Sequence, residues 1–321
     1  MNRLTTCSTM HNLHHLRVMS KRRKRIILLG CGTLALALVW AMVPESKPEP
    51  SYQGRLLSEW LDRASMGGVP DSTRREAEAA VRAIGTNALP TLLGWIRYEY
   101  SPVRELYASV VTRLPLSEKL RNGLERISGS AKATIPHWSA GEGFRILNTN
   151  AVTAIPQLFH LAAGPNRRPV ARRAVQALGG IGPPAVPHLI TLVTNRNGPV
   201  SHEAVIQLAL LATNVPTVTP LFLQFVEDPA FDVSYAACFS LQRAGVSPQA
   251  AVPVLIRALQ SKHEEIRLVA AHALGGYGAD AIPAVPQLQA GLLNTNWRMR
   301  YAATNALLRI APQILTNEPP Q

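Results

Sequence analysis

An interval of about 33 residues separates most of a series of prolines along this chain, and it is the feature that most constrains the fold. Each of these prolines begins an apolar stretch, as in ALPTLLGWI and AVPVLIRAL. Proline is tolerated in the first turn of a helix because its missing N–H would have no partner there. The series therefore predicts six helix starts, at Pro90, Pro156, Pro187, Pro220, Pro253 and Pro286. The gap of 66 residues after Pro90 predicts one further repeat that lacks the proline.

A second helix is predicted about thirteen residues after each proline, from an apolar stripe at positions i, i+4 and i+8. Residues at these positions lie on one face of a helix. Five stripes share the pattern: Val170, Ala174 and Leu178; Val200, Ala204 and Leu208; Val233, Ala237 and Leu241; Ile266, Ala270 and Leu274; Met299, Ala303 and Leu307. A polar residue precedes the later stripes by five positions, and we expect these residues to cap the second helices or form tight turns: Asn195, Asp228, Ser261 and Asn294.

A two-helix unit repeated every 30 to 33 residues predicts an all-α fold, an α-solenoid of stacked helix pairs. The segments RRPVARRAVQALGGIGPPAVPHLITLV and AVPVLIRALQSKHEEIRLVAAHALGGYGADAIPAVPQL resemble HEAT repeats, most of all the short bacterial form, the phycobilisome-lyase-type HEAT-like repeats. The resemblance covers residues 72–312. It implies about seven repeats and a groove, lined by second helices, in which a partner binds.

HEAT repeats often have an arginine directly after the valine that begins the second-helix stripe. Arg104, Arg267 and Arg300 match this feature of the family. The equivalent residues of three other repeats do not match, and these are Ala171, Ser201 and Ser234. A continuous row of arginines is therefore not expected.

The net charge of +13 is concentrated at the N-terminus, where residues 1–43 contain seven basic residues and no acid. Residues 26–43, IILLGCGTLALALVWAMV, contain no charge. As a helix this run would be about 27 Å long, at the short end of what crosses a bilayer. The preceding KRRKR places residues 1–25 in the cytoplasm by the positive-inside rule. We therefore expect a single-pass transmembrane helix in a bacterial inner membrane, with the solenoid on the periplasmic side.

A cleaved signal peptide is the alternative interpretation of this segment, and it would release the protein into the periplasm. The apolar run is longer than the roughly 7–15 residues of a signal peptide, and Ala41-Met42-Val43 is a poor cleavage site. Translation from Met19 would shorten the basic region and favour cleavage. A lipid attachment site at Cys31 is disfavoured because the apolar run continues beyond it.

The remaining chain divides into three further segments. Residues 44–71 are predicted to form a Pro-rich spacer with a short helix at 55–64. The solenoid follows over residues 72–312, and residues 313–321 form a C-terminal tail.

Few residues form a pattern that indicates catalysis. The pairs His202-Glu203 and His263-Glu264 are similar to the His-Glu pairs that bind iron in some HEAT-like lysine hydroxylases. The two pairs occupy different positions in their repeats, so they cannot share a metal. Cys238 lies beside the alanine stripe and is expected to be a small core residue rather than a nucleophile. We therefore expect no catalytic residue, no metal and no cofactor.

The function predicted from these features is that of a membrane-anchored, non-catalytic scaffold for protein–protein interaction. One alternative is a HEAT-like enzyme or enzyme subunit, either lyase-type or metal-dependent. Another is a cytoplasmic scaffold that binds nucleic acid, which would require a reversed anchor and salt-sensitive binding. Nucleic acid is not expected as a partner, since the solenoid is predicted to lie on the periplasmic side, away from the nucleic acid of the cell. The expected partner is a protein.

Candidate binding residues lie two and six positions after the start of each apolar stripe, where side chains should point away from the buried face. The row contains more large apolar groups than a solvated face needs, and an exposed row of this kind marks a partner site. The alternative is that these side chains pack between adjacent second helices. The predicted partner-binding residues are Arg172, His202, Tyr235, Phe239, Leu268, His272, Tyr301 and Asn305.

One contact between repeats is also predicted. Arg173 and Glu203 each lie three positions after the start of their stripe. Because stacked neighbours bring equivalent positions together, we expect these two side chains to form an ion pair.

Overall fold

A computed structural model describes residues 49–98, 139–165, 168–195 and 200–316 of the chain. All of them belong to one compact unit, Glu49–Glu99 and Ile135–Gln321. The second unit, Met1–Pro48 and Tyr100–Thr134, lies outside the described residues, and so does the predicted transmembrane helix at 26–43. Within the described ranges, no helix is both long and apolar enough to cross a membrane.

The described residues form a short hairpin followed by helices. Strands β1 (Ser51–Tyr52) and β2 (Arg55–Leu56) pair antiparallel, with Ser51 opposite Leu56. Gln53 and Gly54 between them both have positive φ, as a two-residue turn of type I′ requires. In chain order the helices are α1 (Leu57–Ser65), α2 (Asp71–Ile84), α3 (Leu89–Arg97), α4 (Ala140–Leu147), α5 (Ile155–Ala163), α6 (Arg168–Ile181), α7 (Val186–Thr194), α8 (Ser201–Leu211), α9 (Leu221–Val226), α10 (Phe231–Ser240), α11 (Pro248–Ala258), α12 (Glu264–Gly276), α13 (Val285–Leu292), α14 (Trp297–Ile310) and α15 (Gln313–Thr316).

These helices are arranged as the predicted repeating pairs. From α1 to α14, each odd-numbered helix is a first helix and packs on the even-numbered second helix that follows it. The second helices from α2 to α14 also pack on one another in order, so each pair covers the next. The described residues thus contain seven stacked pairs. The repeat predicted without a proline, between Pro90 and Pro156, falls largely on residues 99–138, which lie outside the described residues.

Five of the six prolines in the series lie at the start of a first helix. Pro90, Pro156, Pro187 and Pro286 are each the second residue of their helix, and Pro220 directly precedes α9. A short 3₁₀ segment leads into each of these five helices: Gly85–Ala88, Asn148–Ala154, Pro183–Ala185, Pro216–Val218 and Gly278–Ala284.

The prediction that a helix begins at Pro253 is wrong. The segment that is 3₁₀ in the other repeats is α-helical here, so α11 begins at Pro248 and Pro253 lies inside it. Pro253 cannot donate the usual bond to the carbonyl four residues earlier, which belongs to Gln249. Both residues are exposed, so water can satisfy that carbonyl.

The predicted apolar stripes are buried, as expected. All five alanines and all five leucines of the stripes are inaccessible to solvent, and the residues that begin the stripes are at most 5% exposed. Small residues let the second helices approach closely. A Cβ placed on Gly275 of α12 would lie only 3.0 Å from the Cα of Ala306 on α14.

The polar residues before the second helices make tight turns rather than helix caps. The side chains of Asp228, Ser261 and Asn294 each accept a hydrogen bond from the backbone N–H two residues later. The prediction of tight turns is confirmed at these positions. The capping side chain at the start of α14 is Asn296, which accepts from the N–H of Arg298.

In four of the five stripes, the side chain directly after the start of the stripe donates a hydrogen bond to a backbone carbonyl, either at the end of the first helix or in the turn that follows the first helix. The Ser201 and Ser234 hydroxyls donate to the carbonyls of Leu192 and Val226, at 3.2 and 2.6 Å. The guanidinium groups at the equivalent positions donate to carbonyls of the turn, from Arg267 to Ser261 and Lys262, and from Arg300 to Asn294 and Thr295. Serine and arginine therefore make the same connection, although only arginine matches the family pattern.

The short helix in the predicted spacer, α1, belongs to the packed core. Leu57, Trp60, Leu61 and Ala64 are buried where α1 packs on α2. The Trp60 indole N–H donates to the carbonyl of Tyr52 at 3.0 Å. The core therefore begins within the segment 44–71 that the sequence assigned to the spacer.

Candidate partner-binding surface

The eight predicted binding residues lie on the second helices α6, α8, α10, α12 and α14, which bury their stripes on the opposite side. We call these eight residues the second-helix row. Four of them are exposed, and these are Arg172, Phe239, His272 and Tyr301. The other four are partly buried, and these are His202, Tyr235, Leu268 and Asn305. The row is therefore a mixed surface rather than a uniformly solvated one.

The partly buried members pack between neighbouring second helices. The imidazole of His202 on α8 stacks on the Tyr235 ring of α10, with ring centroids 5.9 Å apart. Tyr235 also contacts Phe231 at 5.8 Å, and Phe231 reaches His263 in the turn before α12 at 5.2 Å. This aromatic series extends across three repeats, so His202 and Tyr235 contribute to stacking.

The exposed members leave large apolar groups in solvent. Phe239 is 65% exposed and Tyr301 is 63% exposed. They lie on α10 and α14, with His272 of α12 at the intermediate repeat. Phe239 and Tyr301 therefore lie two repeats apart, at different positions of their helices. Large apolar side chains left in solvent along one surface favour contact with a further molecule.

Glu203 is the centre of a polar network between α6 and α8. Its carboxylate accepts from Arg172 Nε at 2.8 Å, Gln176 Nε2 at 3.2 Å and Gln207 Nε2 at 3.0 Å. The Glu203 side chain is only 8% exposed, so these three donors compensate for its burial. One member of the second-helix row, Arg172, is thus held beside an acid.

The predicted ion pair between Arg173 and Glu203 is wrong. The guanidinium of Arg173 donates to the backbone carbonyls of Ile96 and Tyr98 at the end of α3. A cation is favourable there because the last carbonyls of a helix lack partners. Adjacent residues of a helix point about 100° apart, so Arg172 faces α8 while Arg173 faces α3.

The two His-Glu pairs are part of the contacts between repeats. Glu203 belongs to the network above, and Glu264 Oε1 accepts from Asn296 Nδ2 at 2.5 Å. The His202 and His263 rings lie in the aromatic series. Among the described residues, no group of three His, Cys, Asp or Glu side chains could hold a metal ion.

Cys238 lies in the core, as predicted. It is 1% exposed, and burial raises the pKa of its thiol to about 12. The thiol therefore stays protonated at neutral pH, and a protonated thiol is a poor nucleophile.

The sequence did not indicate one small polar pocket. It has a volume of about 260 Å³ and lies between the turn after α9 and the turn after α11. Glu227, Asp228, Arg257, Lys262 and His263 line it together with apolar residues. Arg257 and Glu227 form an ion pair at 2.7 Å across the two repeats. Apart from Arg257 at the end of α11, these charged residues belong to turns, and the spacing of turns along the chain does not show that two of them enclose a space.

Comparisons with protein-family models give matches to two repeat families. Residues 218–308 match the model described as HEAT repeats, and residues 170–195 match the PBS lyase HEAT-like repeat. These matches confirm the resemblance to HEAT repeats. No curated protein matches the chain.

Three similar solved structures span 79–83% of the chain. A Kap121p mutant is 14% identical, with a TM-score of 0.41, and the chain spans only 34% of its length. The complex of CpcE and CpcF of phycocyanin lyase from Nostoc sp. PCC7120 is 19% identical, with a TM-score of 0.32 and 98% of that chain covered. Importin beta is 15% identical, with a TM-score of 0.27 and 45% of that chain covered.

A double-mutant cycle tests the corrected ion pair. Arg172→Ala, Glu203→Ala and the double variant are expected to give a coupling free energy of no more than about 1 kcal/mol, because Arg172 is mostly solvated. Urea unfolding of the four proteins measures it. The matched cycle with Arg173→Ala and Glu203→Ala should show no coupling. Coupling in the Arg173 cycle alone would contradict the geometry.

Proposed function

We propose that this chain, which is a HEAT-repeat protein, is a membrane-anchored, non-catalytic scaffold that holds a protein partner on its second-helix row. The exposure of Phe239 and Tyr301, at 65% and 63%, is the observation that supports this most directly. Both side chains would lose solvent contact on binding, and burial of apolar surface is the dominant favourable term in protein association.

The composition of the row fits a protein interface. Aromatic residues and arginine are enriched among the side chains that contribute most to interface energies. Phe239 and Tyr301 supply apolar area, while the exposed Arg172 and His272 offer hydrogen-bond donors around it. The partly buried His202 and Tyr235 stack on each other, so this part of the row is held by contacts between repeats.

The non-catalytic role is supported by the roles of the polar groups in the described part of the chain. Glu203 and Glu264 take part in contacts between helices, and the Cys238 thiol is buried and protonated. These groups stabilise the stack of helices. A metal or cofactor bound to the purified protein, detected by elemental analysis or the absorption spectrum, would instead favour the alternative of an enzyme or enzyme subunit.

Photo-crosslinking tests the partner-binding role of the row. With p-benzoylphenylalanine in place of Phe239 or Tyr301, we expect the chain in its host cells to crosslink to one partner protein after illumination. Mass spectrometry identifies that protein. The same group in place of Gln224, exposed on the first helix α9, is the matched control and should capture none.

A double substitution then tests the energetic role. Phe239→Ala with Tyr301→Ala should reduce partner affinity by roughly a hundredfold, since interface aromatics are worth about 1–2 kcal/mol or more each. The melting temperature should be nearly unchanged because both side chains are exposed. Unchanged capture, or a loss of several kcal/mol of stability, would contradict the proposal.

The anchoring part of the proposal depends on residues 26–43 and the preceding KRRKR. We propose a single crossing of a bacterial inner membrane, with the repeats on the periplasmic side and residues 1–25 in the cytoplasm. Release into the periplasm after signal cleavage is the alternative.

Fractionation and a topology reporter test the anchor. We expect a C-terminal alkaline phosphatase fusion to be active, because the enzyme needs the periplasm, and full-length protein to stay in membranes after a carbonate wash. A mature N-terminus near residue 44 would support the cleaved form instead. Release of full-length protein by carbonate would contradict both the anchor and the membrane location.

A further inference from the structure

The last long helix, α14, leaves uncovered the positions that α12 uses to contact its successor. The repeat interval of 33 residues makes Trp297, Thr304 and Leu308 of α14 equivalent to Glu264, Ala271 and Gly275 of α12. We call Trp297, Thr304 and Leu308, together with Leu293 in the turn before α14, the terminal face. It lies beside the second-helix row, and its residues are not members of that row.

The equivalent positions on α12 face the following helix. Glu264 accepts a hydrogen bond from Asn296, which caps α14. Ala271 is inaccessible to solvent, and Gly275 lies against Ala306 of α14. This side of a second helix is therefore the side on which another helix packs.

On α14 the same side is apolar and open. Trp297 is 65% exposed, Leu308 is 51% exposed and Leu293 is 88% exposed. The side chains are also larger than the Ala and Gly of α12. A helix that packs here gains the burial of a tryptophan and two leucines, which is the kind of cluster that dominates helix docking.

The chain segment that forms the terminal face carries only positive charges, and the acid Glu264 of α12 lies at its edge, where it accepts from Asn296. Residues 281–316 contain Arg298, Arg300 and Arg309 and no acidic residue. Arg300 donates to the turn carbonyls of Asn294 and Thr295. Within the described part of the chain, neither Arg298 nor Arg309 has an ion-pair partner. The face therefore favours a partner that presents carboxylates beside apolar side chains.

We propose that the terminal face docks an acidic amphipathic helix of a partner protein, on the side of α14 that corresponds to the side of α12 covered by α14. A second copy of this chain fits poorly, because it would bring two sets of three arginines together. The other segments of the chain fit no better. Residues 1–48 have a net charge of +7 and residues 99–138 of +2, so neither presents the acidic charge that the face favours.

Two matched peptides test this proposal with the full-length chain in phosphatidylcholine nanodiscs. Each has the 14-residue length of α14, a lactam bridge to hold it helical, a leucine stripe and a neutral fluorophore. The first has glutamate beside the stripe, and the second has lysine at those positions. Fluorescence anisotropy measures binding, with empty nanodiscs as the blank. We expect the glutamate peptide to bind at least about tenfold more tightly than the lysine peptide, and less tightly at high salt.

Variants of equal exposure locate the site. Trp297→Ala should raise the Kd of the glutamate peptide about tenfold or more. Phe239→Ala removes an equally exposed ring from the second-helix row and should change this Kd by less than about twofold. Arg298→Glu should weaken it by several fold, and the matched Arg243→Glu on another exposed arginine should not.

Four outcomes would overturn the proposal. Equal affinity for both peptides would mean that charge does not select the partner, and an unchanged Kd for Trp297→Ala would place the peptide elsewhere. Concentration-dependent self-association in sedimentation velocity, abolished by Trp297→Ala, would show that the face pairs with a second copy. Binding lost in Phe239→Ala but not in Trp297→Ala would assign the peptide to the second-helix row and leave the proposed function intact.

Discussion

Close packing between consecutive second helices is the interaction on which the rest of this structure depends. The alanines of the five stripes are inaccessible to solvent, and Gly275 approaches the backbone of Ala306 more closely than a larger residue would allow. A single helix pair cannot bury its own apolar face, so its stability comes from its neighbours. A second helix inside the stack thus packs on its own first helix with one side and on adjacent second helices with two others.

These packing contacts determine which side chains are available for binding. Only the side of a second helix away from its first helix remains open, and there the residues divide between stacking and exposure. His202 and Tyr235 stack on each other, whereas Phe239 and Tyr301 extend into solvent. On the last long helix, α14, the side that would contact a further repeat is open as well. The two proposed surfaces follow from the same geometry, one along the stack and one at its end.

Much of the fold could be predicted from the sequence because the repeat interval is regular. Proline spacing located five first helices, and the stripe pattern identified residues that are buried without exception. The helix that contains Pro253 begins earlier than predicted, because the same sequence pattern before a proline forms a 3₁₀ segment in other repeats and an α-helix here. The helix α1 was assigned to the spacer since it lacks the repeat interval, although Trp60 packs it into the core.

The contacts between repeats were less predictable than the repeats themselves. Equal position in the repeat paired Arg173 with Glu203, but the rotation between α6 and α8 brings Arg172 to that acid instead. Only Arg267 matches the arginine of the family pattern, and Ser234 does not. Both side chains nevertheless donate to a backbone carbonyl that precedes their helix. The polar pocket at the turns after α9 and α11 depends on how two turns meet, which periodicity does not encode.

Substitution of two adjacent glycines tests the central claim most directly. A side chain on Gly275 would first meet the backbone of Ala306, whereas one on Gly276 would first meet the flexible side chain of Gln242. Gly275→Val should therefore lower the free energy of unfolding by about 1–3 kcal/mol more than Gly276→Val, since overpacking against backbone cannot relax. Urea unfolding of the two variants measures this difference. Equal stability, or a greater loss for Gly276→Val, would show that the second helices do not stack in this register.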